Sequence, residues 1–404
     1  MVSADLARGF QLTRVPPDFF DDPYRYYAAL RAHDPLHELE GGGVFLSRYE
    51  DAIAVYRDAR RASSDKKIEF RPKFGDSPLY EHHTTSLVFN DPPLHTRVRR
   101  LIMGALNQRA IARMEADVVR LVDALLVRIA QRGEADFIGD FAAQIPVEVI
   151  GNLLDVPHAE RAPLRGWSLA ILSGLEPAPG AELLEHGNRA VSEFLEYLRG
   201  LVAARRRAPG DPEADVLTRL IQGEADGERL SENELLHNCI FLLNAGHETT
   251  TNLIGNGLWL LLRHPGELEK LRANPALVPV AVEEMLRYEG PIQLNNRRLV
   301  APMELGGRMF PAGTSITIGI GAANRDPAHF PDAERFDAAR KPNRHVAFGQ
   351  GDHACAGMNV ARMEARIAFT RLLARFPRLE PAAEPARDRR VRFRGFRSLP
   401  VRVG

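Results

Sequence analysis

The sequence predicts a mainly α-helical protein with small β-sheets, an α+β fold. Two observations predict it: apolar residues recur at helical spacing through long segments, and alternating, strand-like patterns are short and few. The helical segments are residues 118–129, 147–154, 191–202 and 360–373. The strand-like segments are residues 44–47 and 314–320, the pair Val391 and Phe393, and the alternating Leu399, Val401 and Val403.

The composition is that of an ordinary water-soluble globular protein, with 45% hydrophobic and 26% charged residues among 404. No stretch reads as a linker, so we expect one domain over residues 1–404. Basic and acidic residues both number 53. This balance gives no electrostatic argument for a nucleic-acid or membrane partner.

Targeting and disulfide signals are weak. The first ten residues lack the continuous apolar core of a signal peptide. The most apolar stretches, 239–243 and 253–262, fall short of the roughly 20 residues that span a bilayer. Only Cys239 and Cys355 are present, which excludes a disulfide scaffold. We expect a cytoplasmic protein without a membrane anchor.

One helix is signalled clearly. Ser231 and Glu234 form a capping-box pattern, and the apolar run that follows continues to Pro265. At about 1.5 Å per residue this helix is roughly 45 Å long and must cross the domain. Its middle, residues 245–251, reads A-G-H-E-T-T-T. Either a ligand touches this segment, or the glycine permits close helix packing, the threonines bond back to the preceding turn and Glu248 reaches solvent.

A second unusual segment is a glycine-rich loop around Cys355, immediately before the helical pattern of residues 360–373. Backbone N–H groups and the helix dipole favour a thiolate at a helix N-terminus. This position suits a metal ligand. A buried inert cysteine and a catalytic nucleophile are the alternatives.

The spacing F-G-x-G-x-H-x-C-x-G, from Phe348 to Gly357, resembles the haem-binding loop of the cytochrome P450 family. Further motifs follow the order expected in that family. They are residues 91–99, similar to the stretch that enters the helix at the haem propionates; 245–250, similar to the oxygen-activation signature A-G-x-D/E-T-T/S; 284–287, similar to E-x-x-R; and 333–336, similar to the segment whose arginine completes that triad. The resemblance covers most of the chain and implies the cytochrome P450 fold, with haem between the long central helix and the cysteine loop.

The resemblance implies haem b as the cofactor and Cys355 as the axial ligand of its iron. A thiolate ligand pushes electron density onto the iron and favours cleavage of the O–O bond. The propionates need cationic or hydrogen-bonding partners. By resemblance these are His95, Arg99, Arg297 and His353, with Arg298 as a rival to Arg297. The remaining residues expected at the cofactor are Ala245, Gly246, Phe348, Gly349 and Gly357.

The E-x-x-R motif implies a buried ionic triad of Glu284, Arg287 and Arg335, with Glu283 as a rival to Glu284. An exposed pair at this spacing contributes only about 0.2 to 0.5 kcal/mol, whereas loss of one partner from a buried network costs about 3 to 5 kcal/mol. The triad is therefore expected to matter only if the fold buries it.

Dioxygen cleavage consumes two protons in a largely dry pocket, so Thr249 and Glu248 are expected to form a proton relay. An apolar substrate is implied. The candidate substrate contacts are Leu87, Val88, Phe241, Asn244, Ile292 and Leu294, among which the amide of Asn244 departs from the usual pattern. Cys239 is expected to pack as a small hydrophobic residue.

The resulting hypothesis is a monomeric haem-thiolate monooxygenase that hydroxylates or epoxidises a lipophilic small molecule. At this length we expect no fused reductase. We therefore expect a ferredoxin or flavodoxin, with its NAD(P)H-dependent reductase, to dock at the Cys355 face, where Arg344 and Arg362 could steer an acidic carrier. The alternatives are a peroxide-driven peroxygenase, which would not need the relay, and a non-catalytic haem-binding sensor.

Overall fold

A computed structural model of the chain describes residues 3–212, 215–225 and 228–404. Most of these residues lie in helices. The α-helices are α1 (Tyr24–His33), α2 (Tyr49–Arg57), α3 (Lys67–Phe74), α4 (Pro78–Thr85), α5 (Leu94–Ala105), α6 (Gln108–Arg132), α7 (Gln144–Leu153), α8 (Leu164–Ser173), α9 (Ala181–Arg207), α10 (Val216–Gln222), α11 (Glu232–Arg263), α12 (Pro265–Ala273), α13 (Val278–Tyr288), α14 (Ile320–Ala323) and α15 (Met358–Arg375). The predicted helical segments fall in α6, α7, α9 and α15.

The strands are short and form small sheets. They are β1 (Leu36–Leu39), β2 (Gly43–Leu46), β3 (Ala62–Ser63), β4 (Glu134–Asp136), β5 (Glu224–Ala225), β6 (Glu228–Arg229), β7 (Leu294–Leu299), β8 (Met303–Leu305), β9 (Arg308–Phe310), β10 (Ser315–Gly319), β11 (Leu379–Pro381), β12 (Ala386–Arg387), β13 (Phe396–Ser398) and β14 (Pro400–Val403). The largest sheet has the order β1-β2-β10-β7-β3, with β2 and β10 parallel and the other pairs antiparallel. A three-stranded sheet has the order β11-β14-β4.

Three of the four strand predictions are confirmed, by β2, β10 and β14, whereas the prediction at Val391 and Phe393 is wrong. The amide of Val391 donates to the carboxylate of Glu176 at 2.7 Å, and Phe393 makes only an isolated bridge with Ile292. A side-chain acceptor thus replaces the neighbouring strand that alternation alone had indicated.

Helix α11 confirms the long central helix. The Ser231 hydroxyl accepts from the Glu234 amide at 3.2 Å, and the Glu234 carboxylate accepts from the Ser231 amide at 2.8 Å, which completes the capping box. The helix packs against α7, α8, α9, α13 and α15, so its middle lies inside the molecule. Among the described helices, none is long and apolar enough to cross a bilayer.

Three apolar clusters form the core. The largest joins α11 to the helices around it, a second covers the five-stranded sheet, and a third packs the N-terminal segment and α1 against Phe45. Cys239 lies in the first of them and is fully buried, as expected of a small hydrophobic residue. This packing holds α11 and the loop before α15 in fixed positions around one cavity.

Candidate active site

A cavity of about 310 Å³ lies between the middle of α11 and the loop that precedes α15, and we call it the haem cavity. Helix α11 contributes Ala245, Gly246 and Thr249 to its wall. Ala245 is exposed although it lies midway along a helix that is otherwise mostly buried. The loop contributes the predicted cofactor contacts Phe348, Gly349, His353, Cys355 and Gly357. The two unusual sequence segments therefore meet at one site.

The cysteine loop owes its shape to two glycines. Gly349 and Gly351 have φ of 65° and 70°, the left-handed region in which a side chain is strained. A Cβ atom on Gly351 would also lie 2.5 Å from the carbonyl oxygen of Tyr56. The turn closes when the Cys355 amide donates to the Phe348 carbonyl at 2.9 Å, and α15 then begins at Met358. Cys355 is thus presented just before a helix N-terminus.

Burial dominates the electrostatics of Cys355. It raises the pKa of the thiol, while the Gly357 amide and the charges of Arg99 and Arg362 act in the opposite direction without reversing it. The helix terminus alone therefore does not make a thiolate here, contrary to the simplest expectation from the sequence. Direct coordination to a metal cation deprotonates a thiol outright, so the donor suits a metal-bound cysteine.

Unpartnered polar atoms line the same cavity. Among the described residues, His95 is buried with no hydrogen bond at either ring nitrogen, and Nε2 of His353, 4.0 Å from the Asp91 carboxylate, has no hydrogen-bond partner. The two rings lie 4.0 Å apart, and the guanidinium of Arg99 donates to the Ala354 carbonyl at 2.7 Å. Buried donors of this kind require acceptors. The propionates of a haem would supply them, so the residues present fit this cofactor.

Arg297 lies at the edge of this group. It is buried, sits 5.6 Å from the centre of the Tyr56 ring, and donates to the Asn295 side chain at 3.1 Å. It lines a smaller neighbouring cavity of about 190 Å³, which we call the side cavity. Its rival Arg298 lines neither cavity. Neither arginine lines the haem cavity itself, but Arg297 is close enough to His95 and His353 to lower the pKa of both imidazoles.

The middle of α11 both packs closely against a neighbouring helix and lines the cavity, so each of the two interpretations of its sequence is partly right. Gly246 allows close packing, because a Cβ atom there would lie 2.7 Å from Cδ1 of Ile150 in α7. The Thr249 hydroxyl donates back to the Ala245 carbonyl at 2.7 Å, and the Thr251 hydroxyl donates to the His247 carbonyl at 2.9 Å. Thr249 nevertheless lines the haem cavity, whereas Thr251 does not.

Glu248 is placed differently from both expectations. It neither reaches solvent nor lines the haem cavity. Its carboxylate is bound by the guanidinium of Arg390 and by the Asn252 amide, the latter at 2.9 Å. Burial would raise the pKa of Glu248, but Arg390 together with His247 and Asn252 lowers it below its usual range. Glu248 is therefore an ionised carboxylate behind Thr249, directed toward the C-terminal segment.

The E-x-x-R pair is buried as expected. Glu284 and Arg287 are both 0% exposed and are joined by two hydrogen bonds of 2.7 and 2.8 Å. Arg287 also donates to three backbone carbonyls, those of Asn324, Ala333 and Arg335. Glu283, the rival, pairs instead with Arg362 at 2.8 Å and with His345.

The prediction that Arg335 is the third member of the triad is wrong. The Arg335 side chain is exposed, because its neighbours Ala333 and Phe336 take the inward-facing positions, and only its carbonyl joins the network. Arg340 reaches Glu284 instead, with Nε 3.1 Å from Oε1. The carboxylate also accepts from the Asn343 side chain at 3.1 Å and the Asp337 amide at 3.0 Å.

This assignment predicts different effects for two arginines in the same loop. Arg340→Gln should lower the free energy of unfolding by about 1 to 3 kcal/mol, because Glu284 loses a charged donor while remaining buried. Arg335→Gln should change it by no more than about 0.5 kcal/mol, since the carbonyl is retained. Urea unfolding of the haem-bound variants measures both, and equal losses would contradict the assignment.

All six predicted substrate contacts, including Asn244, line the haem cavity. Sequence reasoning missed several other lining residues, namely His82, His83, Glu364, Arg392 and Phe393. His82 and His83 lie in the short helix α4, where two adjacent polar residues give no periodic signal. Arg392 and Phe393 lie in the segment whose strand prediction is wrong.

Glu364 of α15 is a buried carboxyl hydrogen-bonded to Thr250. Burial raises its pKa to about 8, so the native protein keeps it protonated at neutral pH. An unfolded chain ionises this group above its ordinary value of 4.5. Between these two values the native state binds the extra proton, and the contribution of Glu364 to stability falls as pH rises.

Glu364→Gln should therefore gain stability relative to the unmodified protein as pH rises. The variant keeps the shape and the neutral state, and its advantage should be small at pH 5 and on the order of 3 kcal/mol at pH 7. Chemical unfolding of both proteins at a series of pH values measures the difference. A difference that stays constant with pH would show that Glu364 does not remain protonated in the native state.

Comparison with known proteins agrees with this geometry. A profile of the family described as Cytochrome P450 matches residues 177–393. Cytochrome P450 107B1 of Saccharopolyspora erythraea is 39% identical over 406 residues, covering 96% of each chain. Cytochrome P450 monooxygenase PikC of Streptomyces venezuelae is 37% identical, covering 95% of this chain and 92% of PikC.

A solved structure extends the likeness to three dimensions. The crystal structure of P450BioI in complex with hexadec-9Z-enoic acid ligated acyl carrier protein matches with a TM-score of 0.90 and 34% identity. The match covers 96% of this chain and 100% of that one. With relatives of this identity along almost its whole length, the chain belongs to the cytochrome P450 family and is a haem-dependent monooxygenase.

Proposed function

We propose that this cytochrome P450 hydroxylates or epoxidises a lipophilic small molecule, with Cys355 as the axial ligand of haem b and electrons from a separate redox protein. The observation that carries the proposal is that Cys355 and Thr249 line one cavity from two different elements, the loop before α15 and the middle of α11. A thiol and a hydroxyl on separate walls leave room for a cofactor and a substrate between them.

The haem, when bound, supplies the iron at which dioxygen is activated. Cys355 would hold the iron through its sulfur, and a thiolate ligand would favour cleavage of the O–O bond. His95, Arg99, Arg297 and His353 neutralise or hydrogen-bond the propionates and so hold the cofactor in one orientation. Propionates bound in this way would also supply hydrogen-bond partners for the unpartnered nitrogen atoms of His95 and His353.

Thr249 and Glu248 have different parts in proton delivery. The Thr249 hydroxyl donates its hydrogen to the Ala245 carbonyl, so its oxygen is free to accept a hydrogen bond from water or a protonated group in the cavity. Glu248 is the adjacent carboxylate, held by Arg390 and Asn252. When its ion pair with Arg390 opens, the Glu248 carboxylate can take up a proton from water and pass it to the Thr249 oxygen.

Apolar side chains position the substrate and exclude water. Leu87, Val88, Phe241, Ile292 and Leu294 are the proposed contacts, and all come from elements that surround the middle of α11. Asn244 adds one polar atom, since its Oδ1 is buried without a partner among the described residues. That atom can accept a hydrogen bond from a substrate or from water.

The redox partner is proposed to be a ferredoxin or flavodoxin, served by an NAD(P)H-dependent reductase. Arg344 is exposed, and its backbone carbonyl accepts from the Tyr49 hydroxyl at 2.6 Å, which ties this segment to α2. Arg362 is half-buried and already paired with Glu283. Arg344 therefore carries more of the attraction for an acidic partner, which salt should weaken.

The test uses fatty acids, terpenoids, aromatics and polyketides as substrates, with ¹⁸O₂ as the labelled gas. NADPH, a reductase and a ferredoxin are supplied in one series, and hydrogen peroxide alone in another. We expect a product that carries one labelled oxygen atom in the first series only. Equal product with peroxide alone would favour a peroxygenase, and no product in either series would favour a sensor.

A further inference from the structure

The side cavity adjoins the haem cavity. The two share Val88, Phe89, Leu175, Asn295 and Arg392 in their walls. The wall of the haem cavity is mostly apolar, whereas that of the side cavity is rich in charged side chains. A single ligand can therefore place an apolar body in the first cavity and a polar group in the second.

The side cavity contains more positive than negative charge. Lys66, Lys73, Arg297 and Arg392 line it, with Glu69 as the acid in the wall. Lys66 and Glu69 pair with each other, and Arg297 is assigned above to a haem propionate. Lys73 and Arg392 are the two cations of the side cavity that have not yet been assigned a partner.

Near these two cations lies one further carboxylate, that of Glu176. It accepts hydrogen bonds from the backbone amides of Val391 and Arg392 and is nine-tenths buried. Burial raises its pKa, although the two amides and the charge of Arg392 oppose this effect. With Lys73 protonated and Glu176 ionised, the two cations exceed the described carboxylates around them by one charge.

Neither the Lys73 ammonium nor the Arg392 guanidinium donates a hydrogen bond to a carboxylate among the residues that the structure describes. The guanidinium of Arg392 donates to the Leu175 carbonyl at 2.9 Å, the Leu294 carbonyl at 3.1 Å and the Asn296 side chain at 2.5 Å. The Lys73 ammonium donates to the backbone carbonyl of Glu176 at 2.6 Å. Neutral acceptors thus hold both groups in place at the cavity wall. Burial is the main cause that lowers the pKa of Lys73 to about 7, and the charge of Arg392 acts in the same direction.

A third observation points to the same region. His83 lines the adjacent haem cavity, is 2% exposed, and has no partner for Nε2 among the residues that the structure describes. Lys73 and Arg392 are both close enough to influence its charge state. An acceptor between the cations and this imidazole would satisfy all three groups.

We propose that the substrate is a lipophilic carboxylic acid whose carboxylate binds Arg392 and Lys73 in the side cavity, while its apolar part extends into the haem cavity toward Thr249. This inference rests on the proposed function and names its substrate class. A single remaining positive charge matches a monoanion better than a phosphate monoester. Oxidation is then expected on carbon atoms remote from the carboxylate.

The experiment measures binding of matched acid and alcohol pairs to the haem-loaded protein by calorimetry. The probes are dodecanoate with dodecan-1-ol, hexadecanoate with hexadecan-1-ol, and 4-phenylbutanoate with 4-phenylbutan-1-ol. For at least one pair the acid should bind about 10- to 100-fold more tightly than the alcohol, because it forms charge-assisted hydrogen bonds. Lys73→Gln and Arg392→Gln should remove most of that preference, because each weakens binding of the acid much more than binding of the alcohol.

The controls are Arg71→Gln and Arg389→Gln, two exposed arginines beside the same segments and outside both cavities. They should preserve the preference for the acid. Lys73 is only partly buried, so its variant provides the test even if Arg392→Gln does not fold. Equal or weaker binding of the acid in every pair, or equal loss for acid and alcohol in the Lys73 variant, would overturn the proposal. If binding overturns the carboxylate proposal but the alcohols are oxidised, the monooxygenase function still stands.

Discussion

Glu284→Gln is expected to lower the free energy of unfolding by about 3 to 5 kcal/mol and to reduce the share of the protein that retains haem. The substitution keeps the size of the side chain but leaves Arg287 fully buried without its ionic partner. Arg340 loses the same carboxylate. Against a typical total of about 5 to 15 kcal/mol, this loss is large enough to unfold part of the population.

Glu283→Gln is the matched control, since it makes the same chemical change one residue earlier. Its side chain is 25% exposed and pairs with the partly exposed Arg362 and with His345, so we expect a smaller loss, of about 1 to 2 kcal/mol. Urea unfolding and the ratio of haem to protein absorbance measure both variants. Similar losses in the two variants would show that burial of Glu284 does not determine the loss in the free energy of unfolding.

Thr249→Ala is expected to retain haem and substrate binding but to lower the rate of product formation by about 100-fold, with reducing equivalents diverted to hydrogen peroxide. The hydroxyl of Thr249 lines the haem cavity, and its oxygen is the proposed site at which a proton is held. Without it, the proton that Glu248 supplies has no positioned acceptor. The measurement is the ratio of product and of peroxide to NADPH consumed.

Thr251→Ala provides the control within the same helix. Its hydroxyl makes the same type of bond to the preceding turn, at 2.9 Å, but does not line the cavity. This variant should keep the product ratio of the unmodified protein while losing a similar backbone contact. Unchanged coupling in Thr249→Ala, or equal uncoupling in both variants, would remove Thr249 from the proton pathway.

Much of the fold was predictable because its signals are local. The capping box of α11 involves residues three apart, and the helical segments repeat within one or two turns. The glycines of the cysteine loop likewise act on their own backbone. The burial of Glu284 and Arg287 was implied by the family resemblance and not by their spacing, which is equally common on exposed helix faces.

The errors have identifiable physical causes. Arg335 and Arg340 lie in the same loop, and only the path of its backbone decides which guanidinium turns inward. The position of Glu248 was partly open to prediction, because consecutive residues on an α-helix point about 100° apart, so Glu248 need not face the cavity that Thr249 lines. The charge excess of the side cavity could not be predicted, since Lys73, Glu176 and Arg392 come from segments far apart in the chain.

The proposed function depends most directly on sulfur ligation of the haem iron by Cys355. The decisive measurement is the absorption spectrum of the haem-loaded, reduced protein under carbon monoxide, compared with those of Cys355→Ala and Cys239→Ala. We predict the band characteristic of thiolate-ligated haem in the unmodified protein and in Cys239→Ala, whose cysteine is buried in the apolar core, and its loss in Cys355→Ala. Absence of the band from the unmodified protein, or its persistence in Cys355→Ala, would contradict the account.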